Sequence, residues 1–210
     1  MNAIVQKVLK ILTRDNRLLD IGCDGNRAII YDHLPSYTIG LDICFEDLKK
    51  KSVRCVCGDA QVLPFKDKSF ERMLMLETLE HLKDADKGLS EIKRVLKKDG
   101  EIIISTPNGF GLWSLLTDRI LCFPKPQHLR HYSLFSLPKL KQLLKKNKLT
   151  IKSLYSVEGL GICRVIQAIL HRNNVIGESK LWDWLYSVET RVAKLLPLSF
   201  HTGWIIKCIS

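Results

Sequence analysis

Two aspartates sit where short apolar runs end: Asp20 in LLDIG and, twenty-two positions later, Asp42 in TIGLD. A carboxylate at the end of a second strand can accept hydrogen bonds from both hydroxyls of a ribose. The turn after Asp20 reads Gly22-Cys23-Asp24-Gly25-Asn26, with small and turn-forming residues where backbone must come close to a ligand. It is not the GxGxxG turn that seats a pyrophosphate on a helix N-terminus, and the Asp24 carboxylate would repel phosphate. These carboxylates suit a cationic, phosphate-free ligand with a ribose diol.

The elements that must position them follow from periodicity. Ile4, Val5, Val8, Leu9 and Leu12 recur at helical spacing, and a buried strand follows at Arg17 to Ile21. Strands are expected at Tyr37 to Leu41 and Val53 to Cys57, with a helix near Glu46 to Lys51 between them. Phe70 to Leu76 reads as a fully buried fourth strand. Asp84 to Leu96 reads as an amphipathic helix closed by Asp99-Gly100, and Glu101 to Thr106 as strand five. Beyond Pro107 come an apolar segment from Gly109 to Cys122 and a proline break, FPKPQ. A basic amphipathic helix (Leu137 to Asn147), a strand (Thr150 to Val157), a helical stretch with Trp182, Leu185, Val192 and Leu196, and a final strand in GWIIKCIS complete the order. Such alternation predicts a doubly wound α/β fold whose mostly parallel sheet carries helices on both faces. Its ligands should bind outside the strand carboxyl ends.

Composition narrows the class. The chain of 210 residues is 46% hydrophobic, enough for one sizeable core, and a single domain over 1–210 is expected. The 7 cysteines are scattered and odd in number, and are read as reduced packing residues rather than a disulfide framework. No zinc-like cluster or P-loop is seen, so no metal site is assigned. No signal-peptide pattern and no run of eighteen apolar residues is present, which gives a cytoplasmic expectation. The net charge of +11 favours anionic partners in principle. Much of it lies on helical faces such as 139–152, no nucleic-acid signature accompanies it, and a solvated basic surface is the plainer reading.

Five segments together, Asp20-Ile21-Gly22-Cys23, Gly40-Leu41-Asp42, Gly58-Asp59-Ala60-Gln61-Val62-Leu63-Pro64-Phe65, ETLEHL (Glu77 to Leu82) and Glu91 to Gly100, resemble class I methyltransferases in order and spacing. The similarity covers about residues 17 to 158 and is nearest the type 11 branch, which includes ubiquinone-biosynthesis-like O-methyltransferases. The resemblance implies the family's seven-stranded sheet, with a helical insertion before the last strand, and S-adenosylmethionine as cofactor. Asp20 and Gly22 would line its methionine moiety, Asp42 and Ile43 the ribose and adenine edge, and Asp59 and Ala60 the adenine. Leu76 and Glu77 would lie near the methionine end. Where the family usually has glycines this chain has Asp24 and Asn26, which add bulk beside the cofactor.

Methyl transfer is an in-line displacement that needs alignment, exclusion of water and removal of a proton from a neutral acceptor. Candidate bases are His81, after strand four, and His128 and His131 in the cluster HLRHY after strand five. The resemblance places Thr106-Pro107-Asn108 and the HLRHY stretch, with Arg130 and Tyr132, on the acceptor side. Trp113, Leu115, Leu116 and Phe123 would add an apolar wall. Segments 109–136 and 159–202 are expected as acceptor-side insertions. The first expectation is an enzyme methylating oxygen of a small or lipid-like acceptor. The alternative is a degenerate, non-catalytic binding or regulatory protein on the same fold, which Asp24 and Asn26 favour. Peripheral contact with an anionic membrane, through Gly109 to Phe123 and the basic helix, is a further expectation, set against the commoner fate of such helices in covering a sheet.

Overall fold

A computed structural model of the chain describes residues 8, 17–23, 34, 37–44, 54–109, 131–157, 185, 187–189, 191–192 and 202–210. Its strands are β1 (Leu18–Ile21), β2 (Thr38–Asp42), β3 (Arg54–Cys57), β4 (Phe70–Leu76), β5 (Leu96–Pro107), β6 (Thr150–Val157) and β7 (Gly203–Ile209). Two α-helices are described, α1 (Ala85–Val95) and α2 (Leu137–Lys146), together with a 3-10 turn at Leu79–His81. The strands form one seven-stranded sheet in the order β3-β2-β1-β4-β5-β7-β6. Pairing is parallel from β3 to β5, and β7 runs antiparallel to both β5 and β6.

The central strands are apolar on consecutive residues because both faces are covered, and the period of two divides their side chains between two cores. Leu19, Ile21, Met73, Met75, Ile102, Ile104, Trp204 and Ile206 lie in the larger one. Leu18, Leu74, Leu76, Ile103 and Ile205 lie in the other, with Val8 and, partly buried, Leu34. Helix α1 buries Leu89, Ile92 and Val95 against the larger core, and the Asp84 side chain caps its first turn by accepting from the Lys87 amide. Helix α2 puts Leu140 and Leu144 into that core and leaves its lysines outside, so its basic face is the solvated side of a sheet-covering helix. No described helix is long and apolar enough to cross a membrane.

Strand bounds agree with the sequence reading to within a residue, except at β5. The helix before it stops at Val95, and Leu96 already pairs with Phe70. Asp99-Gly100 does not close a helix. Asp99 takes a left-handed φ of 61° inside a bulge, after which Glu101 resumes pairing opposite Arg72. The cysteine reading also needs correction. Cys23 and Cys208 are buried packing residues, whereas Cys44 and Cys57 are exposed. The expected helix near Glu46 to Lys51, the apolar segment after Gly109 and most of the 159–202 insertion lie outside the described residues.

The loop between β3 and β4 is clamped onto α1. Arg94 donates to Glu91, to Asp67 and to the carbonyls of Leu63 and Phe65, while the Leu63 amide donates to Glu91 Oε2 at 2.8 Å. The Arg94 guanidinium holds the Glu91 carboxyl below its ordinary 4.5, against partial burial and with help from the Leu63 N–H. A depressed folded-state pKa contributes stability that is complete above the unfolded value and is lost as pH falls through the folded one. Glu91→Gln should therefore be less stable than the parent at neutral pH. The difference should shrink as pH is lowered below 4.5, as read by urea denaturation at pH 7 and pH 3.5.

Candidate active site

The carboxyl ends of β1, β2 and β4 meet at one edge of the sheet, where the chain goes from β1 to β2 on one side and β4 lies on the other. Gly22 leaves β1 with φ of 71°, and a Cβ built there would stand 2.2 Å from Thr78 Oγ1. Both the left-handed backbone and the lack of space require glycine. Its amide donates to the Leu41 carbonyl at 2.8 Å, so the first turn is tied to β2. Thr78 Oγ1 donates to the Leu76 carbonyl at 2.8 Å and lies 3.3 Å from that of Ile21, which ties the same turn to the end of β4.

Asp20 is buried at the end of β1, and Asp42 is buried at the end of β2, with Oδ1 accepting the Cys44 amide at 2.9 Å. Ile43, the next residue, is 72% exposed. An apolar side chain held open beside a buried acceptor matches what a nucleoside needs: a surface for the base and a carboxylate for the sugar. Asp59 accepts the Gln61 amide at 2.8 Å and the Gln61 side chain as well, and Gln61 in turn accepts the Asp84 amide. Asp59 thus builds its own turn, and an adenine would draw on its remaining acceptor capacity. Ala60 and Leu76 are buried, one in each of the two cores.

After β4 the backbone turns sharply. Glu77 takes φ of 48°, unusual for a residue with a side chain, and is held there by Ser105 of β5: its amide donates to the Ser105 carbonyl at 3.0 Å, and Ser105 Oγ donates to Glu77 Oε1 at 2.7 Å. Glu80, two residues past Thr78, is 1% exposed. Thr106 Oγ1 donates to Glu80 Oε2 at 3.0 Å, and the Glu80 carbonyl accepts the amides of Tyr132 and Ser133 at 2.8 and 3.1 Å. Those bonds bring residues 131–133 onto the turn after β4. The rings of His81 and His131 consequently lie 5.0 Å apart, and His81 Nε2 is 4.0 Å from Glu80 Oε1. Asn108 is buried, with its amide donating to the Thr202 carbonyl and its backbone bridged to Phe135; Tyr132 is half exposed.

Asp20, Gly22, Asp42, Ile43, Asp59 and Glu77 thus come to one edge of the sheet, and His81, His131, Asn108 and Tyr132 to the adjoining ends of β4 and β5. Asp24, Trp113, His128 and Arg130 lie outside the described residues. Thr78, Glu80 and Ser105 were missed. The only signal for Glu80 was a carboxylate enclosed by Leu79 and Leu82, in a stretch too short to show a face. A cavity of about 310 Å³ lined by Arg17, Tyr37, Arg54 and Phe70 lies at the opposite, amino ends of the strands.

Residues 19–104 match the family model described as a methyltransferase domain, type 11. Over that segment the chain is similar to the class I S-adenosylmethionine methyltransferases of type 11. It is 38% identical over 101 residues to an uncharacterized protein of Methanocaldococcus jannaschii, covering 47% of this chain and 44% of that one. It is 28% identical over 151 residues to the ubiquinone biosynthesis O-methyltransferase of Bartonella quintana, covering 64% of this chain and 60% of that one. The chain thus spans about half the length of the curated relatives it matches. A SAM-dependent methyltransferase structure from Archaeoglobus fulgidus superposes with a TM-score of 0.68 at 19% identity, covering 99% of this chain and 92% of that one, which establishes the fold.

S-adenosylmethionine is the cofactor of this family, and the residues present fit it: buried carboxylates at the ends of β1 and β2, an exposed apolar residue after the second, and a glycine turn between them. Removing the Asp42 carboxylate would cost one or two charge-assisted hydrogen bonds, each worth about 1.5–3 kcal/mol. Asp42→Ala should weaken S-adenosylhomocysteine binding roughly tenfold to a hundredfold, read from the ligand dependence of the melting temperature; unchanged affinity in the folded variant would remove Asp42 from the ribose site. Gly22→Ala should destabilise the fold by at least about 1–2 kcal/mol.

Proposed function

We propose that this chain transfers the methyl group of S-adenosylmethionine to a hydroxyl oxygen of a small or lipid-like acceptor. The observation that carries this reading is the His81–His131 pair, set beside a buried glutamate at the carboxyl ends of β4 and β5, one turn beyond the Gly22–Thr78 contact. A hydroxyl acceptor must lose a proton during transfer, and an imidazole pair at the acceptor side is suited to that task. Similarity to a ubiquinone biosynthesis O-methyltransferase points the same way.

The bound cofactor supplies an electrophilic methyl on sulfonium. The acceptor oxygen's lone pair forms the new O–CH3 bond, the S–CH3 bond breaks with its electron pair kept by sulfur, and the hydroxyl proton leaves through the histidine pair to solvent. The protein's part is to hold the ribose through Asp42, keep the first turn rigid through Gly22 and Thr78, and present the acceptor oxygen in line. The exterior of α2 is basic, and an anionic surface or acceptor is the partner it would favour.

Incubation with S-adenosylmethionine radiolabelled in its methyl group and a panel of phenolic, polyol and amine acceptors should label hydroxyl compounds and leave amines unlabelled. Labelling confined to amines would overturn the choice of oxygen. His131→Ala should lower the rate on the labelled acceptor by at least about 100-fold, within the range typical of lost proton-transfer catalysis, with S-adenosylhomocysteine affinity preserved.

A further inference from the structure

Glu80, His81 and His131 each offer a ligating atom, and these atoms all lie within 4.8 Å of one another. We propose that these three residues hold a divalent transition-metal ion, which in turn binds the acceptor. The inference rests on the hydroxyl-transfer reading for the acceptor's identity, but the site itself is argued from geometry alone.

Two imidazoles and one carboxylate form the donor set that suits Mn²⁺, Fe²⁺, Co²⁺ and Zn²⁺, and three protein ligands leave coordination positions open for substrate. Donors on one tetrahedral ion stand about 2.0–2.2 Å from it and so about 3.3–3.6 Å from each other. The observed spacing closes around an ion as the partly buried imidazoles rotate inward. The carboxylate is already fixed: Glu80 is 1% exposed and its Oε2 accepts the Thr106 hydroxyl at 3.0 Å, the outer hydrogen bond that orients a ligating carboxylate. The third ligand is delivered by the backbone of the first. The amides of Tyr132 and Ser133 bind the Glu80 carbonyl, which places His131 against His81 across fifty residues of sequence.

The ion's open positions face the acceptor side at the ends of β4 and β5, so the ligand class is an acceptor that offers two neighbouring oxygens, one of them the hydroxyl to be methylated. Coordination lowers that hydroxyl's pKa; the proton passes to solvent and the oxygen attacks the methyl as above. His81 and His131 then act on the proton as ligands of the ion.

The test uses the whole chain titrated with Co²⁺ after treatment with chelator. The expected result is visible d–d absorption saturating at one ion per chain without a thiolate charge-transfer band, since the exposed thiols of Cys44 and Cys57 are the competing ligands. His81→Ala and His131→Ala should each weaken Co²⁺ binding at least tenfold while S-adenosylhomocysteine binding and the circular dichroism spectrum are unchanged. A wild-type chain that shows no d–d absorption, shows thiolate bands only, or binds Co²⁺ as well after either substitution overturns the metal site. Methyl transfer to a hydroxyl that proceeds undiminished in chelator also overturns it and leaves the transfer reading standing; Co²⁺ binding without transfer to any hydroxyl does the reverse.

Discussion

The contact between Gly22 and Thr78 is the constraint on which the site depends. A Cβ at Gly22 would fall 2.2 Å from the threonine hydroxyl, so the turn that leaves β1 and the turn that leaves β4 meet at a separation that only glycine permits. Interiors are packed too densely for such a contact to relax by small shifts. The turn after β1 and the turn after β4 are therefore in direct contact. From Thr78 the coupling runs on through Glu80 to Thr106 of β5 and to the backbone of residues 132 and 133.

Sheet order explains why this happens at one place. With β1 flanked by β2 and β4, the strand order reverses at β1, the switch point at whose carboxyl end such sheets bind ligands. Parallel pairing lines up Ile21 with Leu41 and Met75, so the turns after β1, β2 and β4 emerge at the same level. The antiparallel β7 then fills the gap between β5 and β6 and secures the far half of the sheet, with Lys207 and Arg72 both reaching Glu101 across neighbouring strands. Acid and base are thus spent structurally on the flank, while the carboxylates at the crevice lie at strand ends.

Much of the fold was legible because a strand covered on both faces carries consecutive apolar residues, as MLML in β4 and III in β5 do, bounded by turn-forming residues. Asp20 and Asp42 were legible for the same reason, as charges that interrupt such runs at their ends. The start of β5 was misread because Asp99-Gly100 has the composition of a helix stop, whereas the left-handed Asp99 serves a bulge within the strand. Glu80 was hidden more deeply. Its neighbours His81 and His131 were each visible as candidate bases, but that a buried carboxylate lies near both depends on a pairing of residues fifty positions apart, and local periodicity carries no record of that.

The central claim is that the crevice between β1, β2 and β4 binds a cationic adenosine cofactor without phosphate. Isothermal titration calorimetry of the intact chain with S-adenosylhomocysteine, run beside NAD, tests it directly. Saturable binding of one S-adenosylhomocysteine per chain with no heat from NAD is the expected result. Binding of NAD in preference, or no binding of S-adenosylhomocysteine by the folded chain, would contradict the account.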